Sequence, residues 1–153
     1  MPGTPNSENR GWVRDAVGRF EASLTLYASK LLRNPETARD VVQETFLRLC
    51  EQNRDAVDDH LAEWLFTVCR NRAMDILRKE NRMTQLSGER VQRCLSADPG
   101  PLDLTERRDM AAKVLQLMDH LPHNQREVIR LKFQNGFSYL EISRITGLSV
   151  SNV

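Results

Sequence analysis

The sequence predicts an all-α protein built as two small helical domains joined by a flexible linker. Two observations carry this reading. Apolar residues recur at steps of three and four through most of the chain, the period of helices that bury one face. That period fades after residue 83, and SADPGPLD at 96–103 places two prolines and a glycine in one short span, the composition of an interdomain connection. A charged content of 28% with 6% aromatic residues fits a soluble helical chain rather than a sheet protein. The boundaries read as a mobile tail over 1–11, a first domain over 12–86, a linker over 87–104 and a second domain over 105–153.

The start, MPGTPNSENR, is rich in Pro, Asn and Gly and reads as the mobile tail. Val13, Val17, Phe20, Leu24, Tyr27, Ala28 and Leu31 then mark the first amphipathic helix. Asn34-Pro35-Glu36 reads as the start of the next one: a capping amide, a proline at the first helical position and an early acid near the positive helix end. The two helices should form a hairpin.

The second helix, over 37–52, has two useful faces. Val42, Thr45, Phe46 and Leu49 form an apolar stripe with Ala38 and Cys50 at its edges. Asp40, Gln43, Glu44 and Leu47 form another that a core would not bury, and an acidic row carrying one exposed leucine suits docking to a basic partner. After a turn-prone NRDAVDDH, with Asp58 or Asp59 as cap, Leu61, Trp64, Leu65, Val68, Cys69, Ile76 and Leu77 give a third long helix.

In the second half, Asp103 with Glu106 reads as a capping box ahead of Met110, Val114, Leu117, Met118 and Leu121, and Pro122 should end that helix. Val128, Ile129, Leu131 and Phe133 mark another, stopped by Asn135-Gly136. The closing SYLEISRITGLSVSNV has the build of a helix-turn-helix. Ser138 and Glu141 form its capping box, Gly147 supplies the positive-φ turn, and Ser149 caps a second helix through Val150, Ser151 and Asn152. Ile142, Ile145, Leu148 and Val153 are its candidate core.

Catalysis is not what these residues suggest. Cys50, Cys69 and Cys94 are far apart, lack zinc-site spacing and read as free thiols, with Cys50 and Cys69 buried. The sequence offers no phosphate loop, metal constellation or nucleophile motif, so the reading is a non-enzyme without cofactor or metal. With no apolar run of membrane-span length and no signal-peptide h-region, the expected location is cytoplasmic, without membrane insertion.

A net charge of +1 hides a local polarity. Residues 36–63 carry three Arg or Lys against eight Asp or Glu, whereas residues 64–82 carry five against two. An acidic helix followed by a basic one can face two partners, one basic and one bearing phosphates.

DVVQETFLRL, AEWLFTVCRNRAMDILRK and LPHNQREVIRLKFQNGFSYLEISRITGLSVSNV, in that order, resemble the bacterial RNA polymerase sigma factors of the small extracytoplasmic-function (ECF) type, over residues 13–153. The resemblance implies a sigma region 2-like bundle followed by a region 4-like helix-turn-helix. It implies that Asp40, Gln43 and Glu44 match the D..QE positions that grip the coiled coil of the largest polymerase subunit, with Leu47 as a desolvated contact. Arg70, Asn71, Arg78 and Lys79 match the run of the helix that recognises and melts the −10 promoter element, with Trp64 mostly core. Ser149, Val150, Ser151 and Asn152 match the start of the −35-reading helix, which continues further with basic residues in the family, so −35 recognition is expected to be impaired in this chain. Ser143 stands where the family usually has alanine. The implied partners are core RNA polymerase and promoter DNA, with an anti-sigma factor as a further candidate. The alternatives are a helix-turn-helix regulator that dimerises through its amino-terminal helices, and a sigma-like interaction module without promoter activity.

Overall fold

The computed structural model describes residues 5–87 and 106–152. Every described element is helical. The first half contains α1 (Pro5–Leu32), α2 (Pro35–Cys50), the short α3 (Arg54–Val57) with a 3-10 turn after it, and α4 (Leu61–Ser87). The second half contains α5 (Glu106–Asp119), α6 (His123–Ile129) continued by a π turn (Arg130–Gln134), α7 (Tyr139–Thr146) and a 3-10 turn (Val150–Asn152).

Helix α1 begins at Pro5, inside the stretch expected to be a mobile tail. Its early turns are anchored: Trp12 is buried and its indole Nε1 donates to Asp58 Oδ1 at 2.9 Å. Asp58 therefore ties down α1, and the side chain that caps the next element is Asn53, which accepts from the Asp55 amide. The hairpin turn is as expected, with Asn34 Oδ1 accepting from the amides of Glu36 and Thr37. Arg33, at φ 56, takes the left-handed conformation that closes α1.

α1, α2 and α4 bury their apolar faces against one another around Leu24, Ala28, Val41, Leu49, Leu65 and Cys69. Cys50 is exposed, which corrects its placing among buried thiols: it lies one residue past Leu49, on the far side of the helix edge. Trp64 packs against the core while half-exposed.

The second half does not form a separate core. Leu131, Phe137, Ile142 and Ile145 are buried in the same cluster as the first three helices, with α7 lying against α4. Phe66 is the joint, its ring 5.1 Å from Tyr27 and 5.0 Å, edge-on, from Phe137. Met110, Val114 and Leu117 of α5, at helical spacing in the sequence, are exposed. Pro122 separates α5 from α6 as expected. The linker beyond Ser87 and the Asp103 cap lie outside the described residues.

Candidate functional site

Three groups of residues carry the functional reading, and each has a distinct environment. On α2 the apolar positions Val42, Phe46 and Leu49 turn inward, which forces Asp40, Gln43 and Leu47 outward. Asp40 and Gln43 are exposed, and Leu47 keeps 66% of its surface open beside a groove between α1 and α2 that also includes Leu26 and Phe46. Glu44 is half-buried and already engaged: its Oε2 accepts from Arg72 Nε at 2.8 Å and its Oε1 from Arg48 Nη2 at 3.4 Å.

The second group lies along α4. Asn71, Arg78 and Lys79 are exposed, and Arg78 has only a loose 3.7 Å contact with Asp75. Residues 71, 75, 78 and 82 recur at three and four, so they share one polar stripe.

Arg70 lies off that stripe and is half-buried, unlike Asn71, Arg78 and Lys79. It stands four residues after buried Phe66 and three before buried Ala73, on the edge of the apolar face. Its Nε donates to Glu127 Oε1 at 2.6 Å and its Nη2 to Oε2 at 3.3 Å. Burial works against its charge, but the hydrogen bonds and charge of Glu127 outweigh this and raise the guanidinium pKa above its ordinary value.

Glu127 itself is 2% exposed, and Tyr27 Oη donates to its Oε1 at 2.5 Å. Burial, and then the Glu127 charge, push the Tyr27 phenol well above its ordinary pKa. Neither Glu127 nor the polar end of Tyr27 was singled out from the sequence. The available signal was an acid exactly one helical step of four before Leu131, hence on a face that must be buried.

The third group is the helix-turn-helix. Ser138 Oγ accepts from the Glu141 amide and donates to Glu141 Oε1, and α7 ends at Gly147 with φ 76. Ser143, in place of a smaller residue, donates its hydroxyl to the Leu148 carbonyl at 2.6 Å across the turn. Ser149, Val150 and Ser151 are exposed, with Ser149 Oγ 3.2 Å from Ser151 Oγ, and residues 150–152 make a single 3-10 turn. At the rim Arg144 meets Glu63 of α4 at 3.6 Å.

Residues 16–83 match the family described as Sigma-70 region 2, and residues 111–153 match Sigma-70, region 4. The ECF RNA polymerase sigma factor EcfG of Rhodopseudomonas palustris (strain TIE-1) is 32% identical over 142 residues, which cover 92% of this chain and 76% of that protein. ECF RNA polymerase sigma factor SigM of Bacillus subtilis is 28% identical over 137 residues, covering 89% and 78%. Among solved structures, the sigma factor RpoE of Bartonella quintana, co-crystallised with the anti-sigma factor NepR, superposes with a TM-score of 0.66 at 25% identity, over 91% of this chain and 85% of that one.

Proposed function

The chain belongs to the ECF family of RNA polymerase sigma factors, and from that premise we propose how its residues divide the work of binding core polymerase and directing initiation at promoters. The exposed row Asp40, Gln43 and Leu47, with Glu44 at its edge, is the polymerase-docking face. The observation that carries this is the outward placing of two acidic or amide side chains and a leucine on a helix whose other side is fully packed. An acidic surface steers a basic partner, and the leucine adds a contact that loses water on docking.

Asn71, Arg78 and Lys79 form the −10 side, where a basic stripe on a rigid helix can hold the backbone of a displaced strand. Arg70 is grouped with them by the family resemblance, and its guanidinium is held by Glu127. Ser149, Val150, Ser151 and Asn152 are the −35 side, offered by a turn whose preceding helix is capped and packed.

Sigma factors are non-catalytic initiation factors, and this chain is read as having no reaction of its own. No described helix is long and apolar enough to cross a membrane. A cytoplasmic location follows from the polymerase partner. The complex of Bartonella quintana RpoE with NepR supports an anti-sigma factor as a partner here as well.

Reconstituted transcription tests the reading. The purified chain added to core polymerase should give transcripts with defined start sites from a library of promoter fragments. Binding to core polymerase without such transcripts would leave only an interaction module, and failure to bind it would leave only a DNA-binding regulator.

A further inference from the structure

Cationic side chains converge where the end of α1 meets α6. Arg126 and Arg130 stand one helical turn apart, on α6 and the π turn that continues it, and Arg33 lies in the turn between α1 and α2. Arg126 is recessed, its side chain 14% exposed, and its Nε is buried without a hydrogen-bond partner. Its Nη1 is 3.8 Å from Oδ1 of the half-exposed Asp119, beyond hydrogen-bond range. The other carboxylate in the vicinity, Glu127, already accepts from Tyr27 and Arg70. Burial, and then the Arg126 charge, hold the Arg130 guanidinium below its ordinary pKa; Asp119 pulls the other way, and Arg33 is close enough to add to the repulsion.

The backbone of Arg33 points in the same direction. Its φ of 56 is left-handed, a conformation that glycine or asparagine takes at the end of a helix with less strain. The closing bond runs from the Arg33 amide to the Ser29 carbonyl at 2.8 Å, so the guanidinium plays no part in ending α1. A side chain kept in a strained position is a mark of use.

We propose that Arg33, Arg126 and Arg130 form a binding site for a compact phosphate-type anion, either free or as the terminal group of a nucleotide. A buried donor without a partner calls for an acceptor, and guanidiniums that repel one another each gain by facing the same anion. Arginine suits this task because its planar fork matches the oxygens of a phosphate. A nucleic-acid backbone fits less well: its phosphates follow a line and favour a row of exposed cations, whereas these converge from two parts of the chain with Arg126 recessed. The site stands apart from the polymerase and promoter assignments.

Isothermal titration calorimetry on the full chain, at constant ionic strength, tests it with inorganic phosphate, pyrophosphate and ATP. Pyrophosphate should bind with a dissociation constant below about 1 mM and raise the melting temperature. Arg33→Gly removes a charge while suiting the left-handed turn, so the variant stays folded; it and Arg130→Gln should each weaken pyrophosphate binding about tenfold. Arg126→Lys, which keeps the charge and loses the fork, should weaken it too, while Arg14→Ala, exposed on α1, should not. Equal affinities for pyrophosphate and ATP would support a site that reads the phosphates alone, and tighter ATP binding would support a nucleotide as their source. No binding of any of the three up to about 10 mM, or pyrophosphate binding unchanged in Arg33→Gly and Arg130→Gln, would overturn the site. Loss of affinity for a random-sequence duplex in both variants, with no pyrophosphate binding by the unaltered chain, would overturn it in favour of a contact with the DNA backbone.

Discussion

Glu44 and Arg72 form a 2.8 Å ion pair that ties the acidic helix α2 to the basic helix α4. The pair joins the proposed polymerase face to the proposed DNA face inside one half of the chain. It also makes Glu44 an ambiguous probe, because replacing it with arginine would set two guanidinium groups against each other.

Asp40 is the cleaner test. It is exposed and lies one turn before Glu44 on the same face. Asp40→Arg should weaken binding to core polymerase by about tenfold or more, the effect of reversing one charge at a complementary interface. An exposed substitution changes stability by under about 0.5 kcal/mol, so the melting temperature should stay within roughly 2 °C. Surface plasmon resonance against immobilised core polymerase checks it, and equal affinities would remove α2 from the interface.

Arg78 and Lys79 should act after polymerase binding. Both are exposed at the far part of α4, so alanine at both positions leaves the core unchanged. If each neutralises one phosphate of a displaced strand, the log–log salt slope of open-complex formation should shrink by about 1.4, at ~0.7 per contact. Permanganate reactivity of the opened region across a salt series measures it. Identical slopes would mean that the two residues are only a solvated face.

Local chemistry was the legible part of this sequence. Asn34-Pro35-Glu36, Ser138 with Glu141, and Gly147 act within a few residues of themselves, and each caps or turns the chain as its residue type dictates. The fold class followed from the same local periodicities. What could not be read was where the halves meet. Tyr27 and Glu127 are one hundred positions apart and Arg70 and Glu127 fifty-seven, so no window of sequence contains the contact. Met110, Val114 and Leu117 are exposed despite helical spacing: a stripe shows that a face is apolar without showing what covers it. At the amino terminus, Pro, Asn and Gly suggested a tail, but Trp12 reaches Asp58 and holds α1 down.

The buried thiol and phenol give the fold an alkaline limit. Burial raises Cys69 from 9.0 to about 12, partly offset by a hydrogen bond with Thr45, and burial with the Glu127 charge raises Tyr27 above 10.0. Both groups are neutral in the folded and the unfolded chain at neutral pH, so their neutral forms leave stability intact below about 9. Above that the unfolded chain loses these protons first, and stability should fall as pH rises toward 12. Urea denaturation at neutral pH and at successively higher values should show a flat region and then a decline. In the same samples at neutral pH, exposed Cys50 should be alkylated by iodoacetamide while Cys69 stays unmodified until unfolding. A Cys69 as reactive as Cys50 would contradict its burial.

Gly147 provides a test of the helix-turn-helix that leaves both proposed interfaces of α2 and α4 untouched. Its φ of 76 lies in the left-handed region, and a Cβ there would meet nothing within 4 Å, so Gly147→Ala is a conformational change with no clash. Placing an L-residue in that region costs roughly 1–2 kcal/mol. The turn also depends on the Gly147 amide donating to the Ser143 carbonyl, and on the Ser143 hydroxyl donating to Leu148, so a shift at 147 strains both. Gly147→Ala should therefore lower unfolding free energy by about 1 kcal/mol, and Gly147→Asn by less, since asparagine tolerates this conformation better. Deuterium uptake should rise over residues 139–148 while α2 stays protected, because α7 is docked through Ile142 and Ile145 at one end of the joint. Core-polymerase affinity should not change. If alanine at 147 leaves both stability and exchange as they were, the left-handed turn is not what positions residues 149–152, and the −35 side must be held by another contact.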